Sequence, residues 1–509
     1  MRDSPPHTFT LSFIHLDREA NAPLYRQIYS GLREAILQRR LAPGVRLPST
    51  RDMADLFDVS RNTVVNAFEQ LMAEGYVEAR VGSGTYVTDR LPEAFLQAYR
   101  SEPPVRLHDG VRTLSRRGQS FARHYRSPAR PLNHSLFLHG RPDVSAFPFE
   151  TWARLAAKRY RDLPRRLFGY SRHPAGYRPL REAIAGYLRT ARALRCEPEQ
   201  IVIVSGSQEG LYLAGQVLLD PGDRAWIEDP GYMGARSALL CADAELCPIP
   251  VDDGGIDVDA GVEKAAGARV AYVTPSHQFP LGGTMSLARR SRLLQWSAAS
   301  DAWILEDDYD SEFRYKGPPL ASLQGLDVNR RVIYAGTFSK VLFPALRLGY
   351  LVIPGDLVEA FLVARSVVHL NAPIFEQVVL VDFMDGGHFN THVRRMRTHY
   401  QERRDVFVEA AERELGGCLE LGPADAGLHV TGWLPAGVDD EAVARRASEL
   451  GIAVLPLSRL CLAQPPRPGL VMGFGAARPE AIPDGVRRLG QAITEVVEKG
   501  KECRERDML

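Results

Sequence analysis

Long apolar runs are missing from this chain. No stretch approaches the roughly 20 consecutive apolar residues that a bilayer crossing needs. The opening MRDSPPHTFTLSFIHLD has no basic start followed by an apolar core, so neither a membrane span nor a secretory leader is expected. Paired cysteines are missing too: Cys196, Cys241, Cys247, Cys418, Cys461 and Cys503 are scattered, with no CxxC among them. That spacing offers no disulfide framework and no metal motif, and reduced thiols in a cytoplasmic protein are expected. An excess of one charge is also absent, since 63 Lys plus Arg against 62 Asp plus Glu leave a formal +1. Any contact with nucleic acid must therefore come from placed residues rather than a global field. What is present is ordinary globular material, 45% hydrophobic and 25% charged over 509 residues, enough for a large core and for more than one domain.

Residues 18–88 carry clear punctuation. PLYRQIYSGLREAILQ sets Leu24, Ile28, Leu32, Ala35 and Ile36 on one helical face behind Pro23, a residue suited to a helix start. APG breaks the chain, and PSTRDMADLF reads as a second helix capped by Ser49 or Thr50. DVSRNTVVNAFEQLMAEG reads as a third, capped by Ser60, with Val64, Phe68, Leu71 and Met72 inward. YVEARVGSGTYV alternates around Gly82-Ser83-Gly84, with Val77, Ala79 and Val81 on one side, and predicts a β-hairpin. Three helices and a hairpin make a winged helix-turn-helix.

The start of the second motif helix enters the major groove in such units. Here it is Ser60-Arg61-Asn62-Thr63. Arg61 can reach guanine with two hydrogen bonds and Asn62 can meet adenine or phosphate, while Ser60 and Thr63 suit phosphates. Arg51 heads the preceding helix, and Gly82 in the wing lets backbone approach the sugar-phosphate strand. The whole stretch from PLYRQ to SGTYV closely resembles the GntR-type winged-helix domain. The resemblance implies Arg51, Arg61, Thr63 and Gly82 as contacts to double-stranded DNA, with Val65 standing where some relatives carry another arginine.

Residues 89–133 hold nine arginines against four acids and little periodicity, as expected of a basic, mostly irregular linker. From 134 to 495, apolar strand candidates alternate with helical segments, among them QIVIVSGSQEGLYLAGQVLL, RAWIEDPGY, VAYVTPSH, AWILEDDYD, RVIYAGTFSK and RLGYLVIP. This pattern predicts an α/β domain with a largely parallel, doubly covered sheet. Ligands in such sheets sit at the carboxyl ends of strands.

One lysine, Lys340 in GTFSKVLFPALRLGY, stands at such an end. A lone strand-end lysine is usually a solvated charge. A partly buried one can condense with an aldehyde, and pyridoxal 5'-phosphate (PLP) is the biological aldehyde for that task. PLP also demands a phosphate cradle, an acid for its ring nitrogen and polar groups for its phenolic oxygen. SGSQ offers Gly206, Ser207 and Gln208 at a helix start, Thr337 and Ser339 offer hydroxyls, and Arg347 offers a fork for phosphate. Asp307 is placed to pair with the ring nitrogen, Tyr309 to bond the phenolic oxygen and Tyr232 to stack on the ring.

Over residues 134–495 these segments resemble the fold-type-I aspartate aminotransferase family. TPSHQFPLGGTMS is similar to its Asn-Pro-Thr-Gly segment and TFSKVLFPALRLGY to its lysine segment. The two domains in this order resemble the MocR-type regulators of the GntR superfamily. The resemblance implies PLP as cofactor, Lys340 as the lysine that bonds its aldehyde, Asp307 and Tyr309 as ring partners, and Ser207, Gln208, Thr337 and Arg347 around its phosphate. His277, or Gln278 beside it, is implied near the phenolic oxygen. It also implies a homodimer. Two departures stand out: Leu281 replaces a small hydroxyl residue, and GLVMGFG, residues 469–475, has no arginine where the aminotransferases clamp a substrate carboxylate. Arg236 and Arg459 are the candidate substitutes. The expected function is a DNA-binding transcription regulator that senses PLP, or an amino compound through PLP. The alternatives are a working aminotransferase with an accessory DNA reader and a scaffold with a dead cofactor site.

Overall fold

The computed structural model describes residues 14–89, 114–119, 136–162, 164–169, 174–317, 321–369, 373–463 and 467–507. Most of the arginine-rich stretch 89–133 lies outside them. The chain forms two compact units, Met1–Thr113 and Leu114–Leu509.

The first unit contains helices α1 (Leu24–Leu37), α2 (Thr50–Phe57) and α3 (Arg61–Ala73) and the antiparallel strands β1 (Val77–Arg80) and β2 (Gly84–Val87). Its core collects Ile28, Leu32, Ile36, Met53, Val64, Phe68 and Leu71, and burying each large side chain stabilises by about 1.5–3 kcal/mol. Ser49, not Thr50, caps α2: its side chain accepts from the Asp52 amide while the Asp52 carboxylate accepts from the Ser49 amide, so two orphan donors are satisfied together. Ser60 caps α3 by accepting from the Thr63 amide at 3.2 Å. The hairpin departs from expectation. Val77 and Val87 are buried at its base, but Ala79 is exposed and Val81 wholly so. Alternation predicts a buried face; this hairpin stands clear of the core beyond its first pair and projects as a wing.

In the second unit eight strands order as β3-β10-β9-β8-β7-β4-β5-β6. They are β3 (Ile201–Val204), β4 (Arg224–Asp229), β5 (Glu245–Asp252), β6 (Gly255–Ile256), β7 (Val270–Val273), β8 (Trp303–Asp308), β9 (Val332–Thr337) and β10 (Gly349–Val352). β4, β5, β7, β8 and β9 run parallel. β10 lies antiparallel to both β9 and β3, so β3 points the same way as the parallel set. Its reversal brings the amino end of β10, and with it Arg347, to the edge where the others end.

A second sheet, ordered β11-β12-β14-β13, is formed by β11 (Glu420–Leu421), β12 (His429–Trp433), β13 (Leu455–Pro456) and β14 (Gly469–Gly473). Its apolar face, with Val430, Leu470 and Met472, packs on Phe407 and Leu415 of the helix His388–Leu415 and on Val486 and Leu489 of the helix Ile482–Asp507. The segment 136–143 is fastened to both. The Gly473 amide donates to Phe137 O at 2.8 Å, and Asp143 receives Arg403 Nη2 at 2.5 Å while its amide donates to Tyr400 Oη at 2.9 Å. This strap carries Gly140 over the sheet edge.

Candidate functional site

Strand parity sorts the acids of β8. Glu306 and Asp308 share one face: Glu306 accepts the amides of Leu323 and Gln324, each at 2.9 Å, and Asp308 receives Tyr334 Oη at 2.6 Å and Arg192 Nε at 3.2 Å. Asp307 points to the other face. It accepts from Tyr272 Oη of β7 at 2.9 Å, and its second oxygen, Oδ1, is buried with no partner among the described residues. Burial pushes its carboxyl up from 3.8 to about 7, opposed by the Tyr272 hydrogen bond. An enclosed carboxyl with one empty oxygen lacks a cationic donor, and a protonated ring nitrogen is such a donor. Glu228, at the end of β4, is likewise pushed to about 7 by burial; Thr274 Oγ1 donates to it at 2.6 Å and Gln278 Nε2 at 3.2 Å.

Lys340 follows β9 and is half-buried; its Nζ donates to Gly140 O of the strap at 2.6 Å. Gly140 holds φ +68°, and a Cβ there would stand 3.0 Å from that Nζ, so the approach needs a residue without a side chain. After β3, Gly206 at φ +108° caps the helix Ser207–Leu218. A Cβ on it would lie 3.5 Å from Arg347 Nη1. The amino-terminal turn of this helix thus lies beside the exposed Arg347 fork, the arrangement a phosphate monoester wants. Thr337 Oγ1 accepts the Ser339 amide at 3.1 Å. Gln208 sits beside them, with Nε2 donating to Gly234 O at 2.8 Å and Oε1 receiving Tyr232 Oη at 3.3 Å. Tyr232 meets Phe279 edge to face at 6.1 Å. The residues present therefore fit PLP.

Four sequence candidates already make contacts within the fold. His277 is buried behind Tyr309: its Nδ1 lies 3.0 and 3.1 Å from the two Asp310 oxygens and 3.0 Å from Tyr309 Oη. Gln278 Nε2 lies within donating distance of Glu228, Pro230 O and Phe279 O, so its amide nitrogen is already engaged. Arg236 is buried, with Nη2 on Leu460 O and 3.4 Å from Asp229. Arg459 is half-exposed and pairs with Glu441 at 3.2 Å. Gly140, Tyr272, Asp310 and His429 were not anticipated by sequence. Gly140 sits in LHGRPD with no local motif to mark it, and Tyr272 reads only as strand core. His277, Asp310 and His429 form a buried cluster of metal-ligating types.

In the first unit Arg51, Ser60, Arg61 and Asn62 are exposed. Arg61 Nε lies 3.3 Å from Thr50 Oγ1, which joins the heads of α2 and α3. The Ser60 and Thr63 hydroxyls are 2.8 Å apart and so are partly engaged in the cap. Gly82 turns the wing at φ +72° with nothing within 4 Å of where a Cβ would be.

Comparison with known proteins follows the same division. The family "Bacterial regulatory proteins, gntR family" matches residues 24–87, and "Aminotransferase class I and II" matches residues 143–469. The chain is 41% identical to the "Probable rhizopine catabolism regulatory protein MocR" of Rhizobium meliloti, over 95% of this chain and 97% of that one. It is 31% identical to the "HTH-type pyridoxine biosynthesis transcriptional regulator PdxR" of Corynebacterium glutamicum, over 88% and 91%. Among solved structures it is similar to the α-aminoadipate aminotransferase LysN of Thermus thermophilus, crystallised with N-(5'-phosphopyridoxyl)-L-leucine. The identity is 30%, the TM-score 0.67, and 75% of this chain and 96% of that one are covered.

Proposed function

The chain belongs to the MocR-type regulators, in which a gntR-family helix-turn-helix is joined to an aminotransferase class I and II domain with PLP as cofactor, and we propose that it reports PLP, or an amino compound that reacts with PLP, to an operator in double-stranded DNA. The observation that carries this reading is that Lys340, the Asp307 oxygen without a partner among the described residues and the close approach of Arg347 to Gly206 all lie at one edge of the sheet.

PLP, when bound, supplies an aldehyde that condenses with amines and a ring that withdraws electrons. The residues divide the rest of the work. Arg347, Ser207, Gln208 and Thr337 hold the phosphate, and Ser339 closes its loop. Asp307, kept in place by Tyr272, retains the proton of the ring nitrogen. Tyr309 serves the phenolic oxygen and Tyr232 covers the ring. Lys340 would offer the amine to the aldehyde, and in the cofactor-free fold its Nζ donates to Gly140 O. Arg236, one turn into the helix that Tyr232 caps, is buried and keeps its Nε without a partner among the described residues, which makes it the better of the two arginines for an acid group on an effector; Arg459 is half-exposed and paired with Glu441. On the DNA, Arg61 and Asn62 read bases while Arg51, Ser60, Thr63 and the Gly82 wing hold the backbone. We place the regulator in the cytoplasm as a homodimer; no helix among the described residues is long and apolar enough to cross a membrane.

The test titrates operator binding of PLP-loaded and PLP-free protein, with and without candidate amines, and then cofactor binding with and without operator. A coupling free energy must appear in both directions. Indifference of affinity, footprint and transcription to PLP, to every reactive amine and to Lys340→Ala would sink the reading. The same intact side chains are what a working aminotransferase needs. Steady turnover of an amino donor and a keto acid at about 1 per second or more would favour that alternative.

A further inference from the structure

His277 is enclosed on every side, and its hydrogen bonds fix where its proton sits. Asp310, two residues beyond the end of β8, presents both oxygens to Nδ1 at 3.0 and 3.1 Å. An ionised carboxylate can only accept, so Nδ1 carries the hydrogen. At the far side of the ring Nε2 is buried with no partner among the described residues, the place where a hydrogen would be stranded. The same Nδ1 lies 3.0 Å from Tyr309 Oη, and that hydroxyl is also 3.0 Å from His277 O. With Nδ1 donating, Tyr309 must be an acceptor toward the imidazole. Its own hydrogen is then left for His277 O or for a better acceptor, and an oxyanion is a better acceptor than a neutral carbonyl. In the opposite tautomer Nδ1 would be a bare lone pair, and Tyr309 would spend its hydrogen there.

We propose that Asp310 is a positioning residue: by holding the Nδ1 hydrogen of His277 it turns the hydroxyl hydrogen of Tyr309 toward the phenolic oxygen of PLP. The inference rests on Tyr309 being the partner of that oxygen. The other groups around the ring do not compete for the proton. His429 of β12 has its ring centre 4.9 Å away, and its Nε2 pairs with Pro280 O at 3.1 Å. Burial holds His429 well below the usual imidazole range, so it stays neutral. Burial, with Asp310 and Asp307 nearby, keeps Tyr309 protonated. Lys340, Asp307, Glu228 and Asp308 are the other ionisable groups near this pair. The control resembles that of a triad carboxylate, which sets the tautomer of a histidine without itself taking a proton.

Two measurements test it. The first uses PLP-free protein, selectively ¹⁵N-labelled at histidine and dialysed against chelator. The His277 signals should report Nδ1–H in the native chain and Nε2–H in Asp310→Asn. Native protein carrying Nε2–H overturns the proposal. The second follows the pH midpoint of the visible band of PLP-loaded protein. Losing a donor to the phenolic oxygen destabilises its anionic form, so Asp310→Asn should move the midpoint upward by about one to two pH units. Tyr309→Phe should do the same, and the double variant should add nothing further. His277→Gln, a second route should Asp310→Asn fail to fold, should also raise the midpoint. A loaded Asp310→Asn or His277→Gln protein with an unmoved midpoint, or shifts that add fully in the double variant, overturns the proposal. So does a native protein whose midpoint moves on chelation alone, which would mean that His277, Asp310 and His429 hold a divalent cation. A native protein that never acquires the band sinks the cofactor assignment, and the positioning role with it. The histidine spectra then still decide the tautomer by themselves.

Discussion

Arg61, at the head of α3, is exposed and hydrogen-bonds Thr50. Asp307, at the end of β8, is enclosed, with one oxygen on Tyr272 and the other without a partner among the described residues. The first group waits in water and loses little until DNA arrives. The second has already given up its solvation, and its cost in the cofactor-free fold appears as a carboxyl that keeps its proton up to about pH 7. A working group held in water makes modest, separable contributions. One held in a dry pocket makes large contributions whose sign depends on whether its partner is present.

The sharpest way to break this contrast is at Lys340. Borohydride reduction of loaded protein should fix the cofactor on this one of the chain's six lysines, and Lys340→Ala should lose the covalent product entirely; peptide mapping decides, and equal trapping elsewhere refutes the assignment. Next comes Asp307→Asn. Removing one partner of a buried charge pair costs about 3–5 kcal/mol, so PLP affinity should fall at least a hundredfold. The cofactor-free variant, relieved of an ionisable group, should melt no lower than the native chain above neutral pH. Calorimetry and a PLP titration read both, and a variant that loses stability in the cofactor-free form argues against the desolvated carboxyl. Arg61→Ala should be milder, costing specific DNA binding about 1–3 kcal/mol and relaxing one base preference. The absorbance of bound PLP should be unchanged, and unaltered affinity and base preference would remove Arg61 from the readout.

The smallest effect expected is on pH. The Asp307 carboxyl stands at 3.8 in its ordinary state and at about 7 in the fold. Between those limits the cofactor-free fold binds more protons than the unfolded chain, so its stability falls as pH rises through that window and levels off above it. A cationic ring nitrogen offsets the loss. PLP should therefore raise the melting temperature more at about pH 8 than at about pH 5, and the difference should vanish in Asp307→Asn.

The same contrast explains what could be seen before the structure. The DNA reader was legible almost residue by residue, because caps, breaks and apolar spacing are local properties: Ser60, Val64, Phe68 and Leu71 occupy their expected places. Val77, Ala79 and Val81 alternate onto one side of the hairpin as read, but only Val77 at its base is covered and Val81 is exposed. In the second unit the strands ending in Asp307, Lys340 and the Gly206 turn were equally visible. β5 was not, since ELCPIPVD mixes proline with half-exposed positions. Nor was the β11–β14 sheet, whose strands are short and meet only through distant pairing. The partners of the site were hidden for the same reason. Nothing near Gly140 in sequence announces Lys340, and the order Tyr309-Asp310 does not say that a histidine from another loop stands between their side chains.

The strap at 136–143 bears on where the chain can be cut. The segment matched by the aminotransferase family begins at residue 143 and ends at residue 469. A fragment trimmed to those limits would retain Asp307, Tyr309, Lys340 and Arg347, and an inventory of ring-facing side chains would judge it complete. It would lack Gly140, whose carbonyl receives Lys340, and nearly all of β14, whose Gly473 amide anchors the strap. The smallest piece that preserves the lysine's resting contact therefore starts upstream of the recognisable enzyme-like segment, on the side of the chain that leads back to the DNA reader.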